Sequence, residues 1–491
     1  MRHARRGAST RASTILSIVF GLSGAAFLLG TFVFDWSRGE SLVRPSLLMT
    51  AYCFGWVILF PRARRSFIPV LLVVGTAVWL AYVQRVLILM IDPQRFEFQM
   101  TVPLSASTLT QSIHVVVLGT ASILAGLWLV LRKVDVVSNA RRALARVAVY
   151  RGALLIAALV AGVISLSLRF ALTVVPAGAS ITTFLFRLVP LEAFLFLLAF
   201  LFASSETRLK LHEKRLFQVL IGIIFVEGFA SGKRSAFLIF FLVFGVALIW
   251  RDGDPRLSLP GLLIGPAVLL VIFPLFLGIL SPVRDASYEG ESVASSLLSD
   301  SPTEELGIVE AALVISDRLA GFDSLVAVRS HEISQLDEYL TLRGLVRSFV
   351  TSVLPDGLLT TTAPALGKLF AVVFQGHDWQ LLHHGAWSGF GISIAYGGDS
   401  TRAAALLLAW GALCGALLRV FSRTPTLAGL IPYTAATFLF ISVMSGNIDT
   451  ILGVYVGHVA VIAGFIWLVR VLSPISRRMT FRPSVSKETP V

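Results

Sequence analysis

The sequence predicts an all-α polytopic membrane protein of about twelve transmembrane helices, and three observations carry that reading. Of 491 residues, 56% are hydrophobic and only 14% charged, where a soluble domain carries about a quarter charged residues. Mean hydropathy is +0.83. Uncharged apolar runs of the ~20 residues needed to cross a bilayer recur from end to end. A soluble, disordered, fibrous or disulfide-stapled fold cannot accommodate this pattern. Cys53 and Cys414 both lie inside apolar runs, so they read as packing residues rather than as a disulfide or metal framework.

Taken in order, the runs place helices at about 14–34, 46–60, 67–91, 111–131, 152–175, 182–204, 216–230, 235–250, 259–281, 402–421, 427–444 and 450–470. The first follows Arg2, Arg5, Arg6 and Arg11 like a signal peptide, but its full spanning length and the lack of a small-residue cleavage site favour a retained helix. The chain thus divides into spans one to nine (1–281), a long loop (282–401), spans ten to twelve (402–472) and a tail (473–491).

Charge fixes the expected orientation. The formal net charge is +13, yet the 282–401 loop holds 15 acids against 6 basic residues, leaving 13 acids and 35 basic residues elsewhere. Lys and Arg collect in cytoplasmic connections, here 61–66, 132–151, 205–215, 251–258, 419–423 and the tail with Arg470, Arg477, Arg478, Arg482 and Lys487. This predicts both termini in the cytoplasm and an extracytoplasmic loop, and it removes any need for nucleic acid as a partner. Within the loop, 306–320, 343–354 and 366–374 read as amphipathic helices that lie on the outer leaflet or pack back over the bundle.

Ionisable residues inside the spans are costly in hydrocarbon and mark candidate sites. Arg85, Arg169, Arg187 and Glu227 fall in the outer half of their helices, while the inner half is nearly free of charge. A transporter would place polar groups along both halves of its path, whereas arginines opening outward suit a phosphate held at the outer leaflet. Snorkelling to the outer head groups is the alternative for each arginine. In Glu227-Gly-Phe-Ala-Ser-Gly-Lys-Arg-Ser235, the Ser231-Gly232 break sets Lys233 and Arg234 at the start of a helix, a position that itself attracts anions. Three of the eight histidines, His377, His383 and His384, cluster beside Asp378. Histidine is the usual proton acceptor near neutral pH, with Asp378 as an orienting partner, and Glu227 is a second candidate base. The spacing fits no standard metal site, and no cofactor is expected.

In these features the chain resembles the bacterial O-antigen polymerase and ligase superfamily, especially Wzy-type polymerases of oligosaccharide repeat units. The resemblance rests on about twelve spans with one long outer loop before the last three, and on the Ser231-Gly232-Lys233-Arg234 turn. It rests also on Val353-Leu354-Pro355-Asp356-Gly357 and on the re-entry Trp387-Ser388-Gly389-Phe390-Gly391. It covers mainly residues 225–425, and it departs at Asp356, where many relatives carry an arginine. The resemblance implies a multi-pass protein of the bacterial inner membrane whose donor is an oligosaccharide on undecaprenyl diphosphate. Arg234, Lys233, Arg169, Arg187, Arg85 and Arg284 would bind the diphosphate, and His383, His384, His377 or Glu227 would serve as base. A flippase and a chain-length regulator are the implied partners. A ligase using the same donor, or a transporter or flippase, is the alternative.

Overall fold

The computed structural model describes residues 9–33, 41–96, 104–147, 151–174, 211–230, 252–258, 321–330 and 399–423, with isolated positions such as Phe390 and Ser393. Among them the chain is mostly helical: α1 (Ala12–Val33), α2 (Val43–Arg62), α3 (Ile68–Ile91), α4 (Ala106–Leu131), α5 (Val136–Val147), α6 (Arg151–Val174), α7 (Leu211–Ala230), α8 (Gly321–Ser330) and α9 (Ser400–Arg423). Five of these, α1 to α4 and α9, are long and apolar enough to cross a membrane. Large apolar side chains on their outer faces, such as Phe32 at 83% and Leu22 at 67% exposed, have no place in water at this density but suit lipid. The protein is a helical, membrane-embedded one. The expected spans at 182–204, 235–250, 259–281, 427–444 and 450–470, and the amphipathic stretches at 306–320, 343–354 and 366–374, lie outside the described residues apart from isolated positions.

Where both can be compared, helices form at the expected places, several of them with longer ends. α4 starts at Ala106 rather than 111 because Ser105 and Thr108 build a reciprocal capping box, which gives orphan N–H groups their partners. α2 and α7 run beyond their apolar cores into Arg44, Arg62 and the His212–Arg215 segment. Hydroxyls inside the apolar helices turn back on their own backbone, as Ser23 donates to Val19 O at 2.9 Å and Thr50 to Ser46 O at 2.8 Å. In lipid such groups have no water to turn to.

Contacts between helices fix their directions. Thr50 Oγ1 reaches Gly24 O, and Val57 lies over Gly21, so α1 and α2 are antiparallel. Trp79 donates to Ser23 Oγ at 3.1 Å, and Ser46 meets Met90 Sδ, which sets α3 parallel to α1. The hydroxyls of Tyr52 and Thr120 bond at 2.9 Å, and Arg62 and Arg132 at the ends of the two helices line one cavity, so α4 runs with α2. α4 and α9 pack in parallel, Gly119 beside Leu407 and Gly415 beside Val130, and they do so at backbone contact: a Cβ on Gly126 would meet Leu408 O, and one on Gly411 would meet Ile123 O. Small residues permit this approach, which is how membrane helices gain van der Waals contact without a hydrophobic driving force.

One end of this bundle gathers the starts of α1 and α3 and the ends of α2 and α4. It carries Arg11, Arg62, Arg64, Arg65, Arg132 and Lys133. Here β1 (Ser9–Arg11) pairs antiparallel with β2 (Arg256–Ser258). Asp254 accepts from Ser13 N at 3.0 Å and Ser13 Oγ at 2.6 Å, and Pro255 O accepts from Ala12 N at 2.9 Å. The 252–258 segment therefore closes the open N-terminus of α1.

α3 is the central helix. Of its most apolar window 67% is buried, against 22–44% for the other four spans. Residues Trp79–Val83 form a π-helical turn between two α-helical stretches, a feature with no reliable local sequence signature and one often found at functional positions.

Candidate functional site

The π turn and the residues just after it present two side chains in the half of α3 away from the arginine-rich end. Tyr82 lies within the π turn and is fully buried; its ring stacks on Phe390 with centroids 4.8 Å apart. Phe390 also fills the space over Gly119 of α4, and Ser393 Oγ donates to Phe390 O at 2.7 Å. Phe390 thus contacts both α3 and α4. Three residues beyond Tyr82, on the same helix face, stands Arg85.

Arg85 is 1% exposed and Asp323, on α8, 0%. Nε donates to one carboxylate oxygen at 2.8 Å and Nη2 to the other at 2.7 Å, while Nη2 also donates to Arg95 O at 2.6 Å. This is the side-on, two-bond geometry in which guanidinium and carboxylate bind most strongly. The partners are 238 residues apart in sequence. Around them α8 is buried from Gly321 to Val328, with Phe322, Leu325 and Val326 in the core and Ser324 Oγ closing on Gly321 O at 2.9 Å. α8 therefore packs into the bundle against α3 and α4.

This geometry changes the expected role of Arg85. It neither snorkels nor offers its Nε–Nη2 edge to a phosphate, because Asp323 already fills that edge. It anchors a helix of the 282–401 segment to the central span. Asp323 escaped sequence reasoning as one of many acids in that segment. Its signal was there in a charged residue one step from an apolar run, Gly-Phe-Asp-Ser-Leu-Val-Ala-Val.

Of the other expected site residues, Arg169 lies in the last two turns of α6 and Glu227 in the last turn of α7, and these two helices pack on each other. Arg187, Lys233, Arg234, Arg284, His377, Asp378, His383 and His384 lie outside the described residues. Nearby, His114 Nδ1–H donates to Thr110 O at 2.9 Å, which commits that ring nitrogen to the backbone. Arg329 at the end of α8 reaches Gln111 Oε1 at 3.4 Å. Asp399 caps α9, accepting from Thr401 N and Arg402 N at 2.8 Å each. The backbone N–H of Arg402 is the largest cause of its pKa lying below the usual carboxylate value, and the Arg329 and Arg402 charges act in the same direction. Among the described residues no group of three His, Cys, Asp or Glu side chains is placed to hold a metal.

Comparisons with protein-family models, with curated proteins and with solved structures each find no match to this chain.

Proposed function

We propose that the protein is a polymerase that joins undecaprenyl-diphosphate-linked oligosaccharide repeat units at the outer leaflet of the bacterial inner membrane, in a bundle of about twelve spans with both termini cytoplasmic. The observation that carries this reading is the docking of two pieces of the acidic 282–401 segment, α8 and Phe390, onto the half of α3 away from the arginine-rich end. A loop fastened into one half of the bundle suits chemistry at one leaflet better than passage through the membrane. The opposite, arginine-rich end suits the cytoplasm.

In this reading a hydroxyl oxygen of the acceptor repeat unit attacks the anomeric carbon of the donor sugar. The bond from that carbon to the diphosphate oxygen breaks, and undecaprenyl diphosphate leaves. Arg234, Lys233, Arg169, Arg187 and Arg284 hold the diphosphate and stabilise the charge that grows on it. His383, His384, His377 or Glu227 takes the hydroxyl proton, with Asp378 orienting an imidazole. Arg85 positions the loop through Asp323 rather than touching phosphate. Closing the loop over both sugars excludes water, which would otherwise hydrolyse the donor.

Purified protein in proteoliposomes with a lipid-linked repeat unit of its host tests the reading. A ladder of multiples, abolished in Arg234→Ala, is the expected product. Unchanged substrate from folded protein would sink polymerisation, and transfer of preformed glycan to a different lipid acceptor would reassign the protein as a ligase.

A further inference from the structure

The arginine-rich end holds a feature that donor chemistry on the opposite side does not use. A cavity of about 410 Å³ opens between the ends of α2 and α4 and the start of α3, with Arg62, Arg64 and Arg132 in its lining and neither Asp nor Glu among the described residues that line it. Arg132 lies over the Trp128 ring, 5.7 Å from its centroid, and Trp128 is 47% exposed, as an interfacial aromatic would be. The tight turn after α2, in which Phe67 N–H donates to Arg64 O at 2.8 Å, returns the chain into α3 beside the cavity.

A second, almost wholly apolar groove of about 350 Å³ runs up the outer side of the α2–α4 pair, lined by Leu48, Gly55, Val117 and Ala121 among others. The two share Leu59 and Leu124 and so form one continuous surface. From Leu48 to Leu59 a helix rises about 16 Å, close to the ~15 Å half-thickness of the hydrocarbon core. With α2 running from Val43 to Arg62, the groove thus extends from near the head-group level at Leu59 to a little beyond the middle of the span at Leu48.

We propose that this surface is a binding site for an anionic phospholipid of the leaflet at the arginine-rich end, its phosphate among Arg62, Arg64 and Arg132 and one acyl chain along the α2–α4 groove. Charge decides the headgroup. The carbonyl ends of α2 and α4 oppose an anion by about half a charge each, against three full guanidinium charges. Apolar lining and length decide the rest of the occupant, since a free phosphate or soluble phosphorylated ligand leaves the groove empty. The site does not depend on the polymerase reading.

The test is native mass spectrometry of the full-length protein released from nanodiscs holding equal phosphatidylglycerol and phosphatidylcholine. At roughly five-fold per arginine, the Arg62→Gln/Arg64→Gln/Arg132→Gln variant should lose its preference for phosphatidylglycerol by on the order of 100-fold. Arg65→Gln/Arg142→Gln, which removes exposed cations of the same end outside the cavity, should leave that preference intact. Gly55→Leu keeps every charge and fills the groove; a Cβ there meets nothing within 4 Å, so the fold tolerates it. It should reduce retention of both lipids at least five-fold. Equal loss in the Arg65/Arg142 variant would reduce the site to the general charge of that end, and full retention in Gly55→Leu would remove the acyl chain from the groove. Either result overturns the proposal, as does displacement of bound phosphatidylglycerol by millimolar inorganic phosphate.

Discussion

Replacing Asp323 by Asn keeps the side-chain shape but strips the charge from a pair that is 1% and 0% exposed. Arg85 would then keep its bond to Arg95 O and lose a bidentate carboxylate at 2.7–2.8 Å. Removing one partner of a buried pair costs about 3–5 kcal/mol, because the remaining charge loses the partner that offset its desolvation. That is about a fifth or more of the ~5–15 kcal/mol that holds a typical domain folded. Reversible unfolding in bicelles, read for wild type, Asp323→Asn, Arg85→Met and Arg85→Met/Asp323→Leu, measures the cost and the coupling together. Each single variant should lose about 3 kcal/mol or more, and the double variant less than either single, since apolar replacement of a whole buried pair is often neutral. Two single variants within about 0.5 kcal/mol of wild type, the range of inconsequential surface changes, would refute the claim that this pair holds α8 to α3. Losses that simply add would refute it too.

Other positions give sharper local tests. Gly411→Val drives a side chain into Ile123 O and should cost at least about 1–3 kcal/mol of overpacking, read as lost thermal stability. Gly152→Ala, whose Cβ meets nothing within 4 Å, should stay within about 0.5 kcal/mol of wild type. Ser105→Ala removes the α4 capping box and should cost about 1 kcal/mol, with faster hydrogen exchange confined to residues 106–109. Asp135 accepts from Ser138 Oγ at 2.6 Å, the largest cause of its lowered pKa. A carboxyl depressed in the folded state stabilises above its unfolded pKa of about 3.9 and loses that contribution as pH falls through the lower folded value. Asp135→Asn should therefore flatten acid unfolding below about pH 4; an unchanged acid limb would remove Asp135 from the balance.

The helices were legible because hydropathy reports what a bilayer selects. α1, α3 and α6 begin and end within about two residues of the apolar runs that predicted them. Their neighbours ran longer than expected for an equally physical reason: Arg62 and Glu213 belong to helices whose ends reach the polar interface, where hydropathy stops counting them. α8 was passed over in favour of 306–320 because Asp323, Ser324 and Arg329 lower its apolar density. Those polar groups are satisfied by partners on other elements or by the local turn, which no window on one segment can see. The outward-lying charge of Arg85 was visible in sequence, but its counter-charge, 238 residues away, was not. The π turn that sets its direction was equally hidden.

The pair also changes how a loss of activity at Arg85 is to be interpreted. Arg85→Ala would lower glycan polymerisation whether the side chain grips diphosphate or only holds α8, so that single variant cannot separate the roles. Arg85→Met/Asp323→Leu separates them. It removes the cation while retaining an apolar contact between α3 and α8, so a positioning role predicts polymerisation recovered at least ten-fold over Arg85→Met. A phosphate-binding role predicts no recovery, because no replacement of Asp323 restores a guanidinium. The KM for the lipid-linked donor gives the second readout. It should stay within about two-fold of wild type in the double variant, whereas a lost phosphate contact of about 1.5–3 kcal/mol would raise it more than ten-fold. Recovery with an unchanged KM would leave Arg234, Lys233, Arg169, Arg187 and Arg284 as the cations to examine for the diphosphate. Failure to recover from folded protein would put Arg85 back among them, and would require Asp323 to release it during turnover.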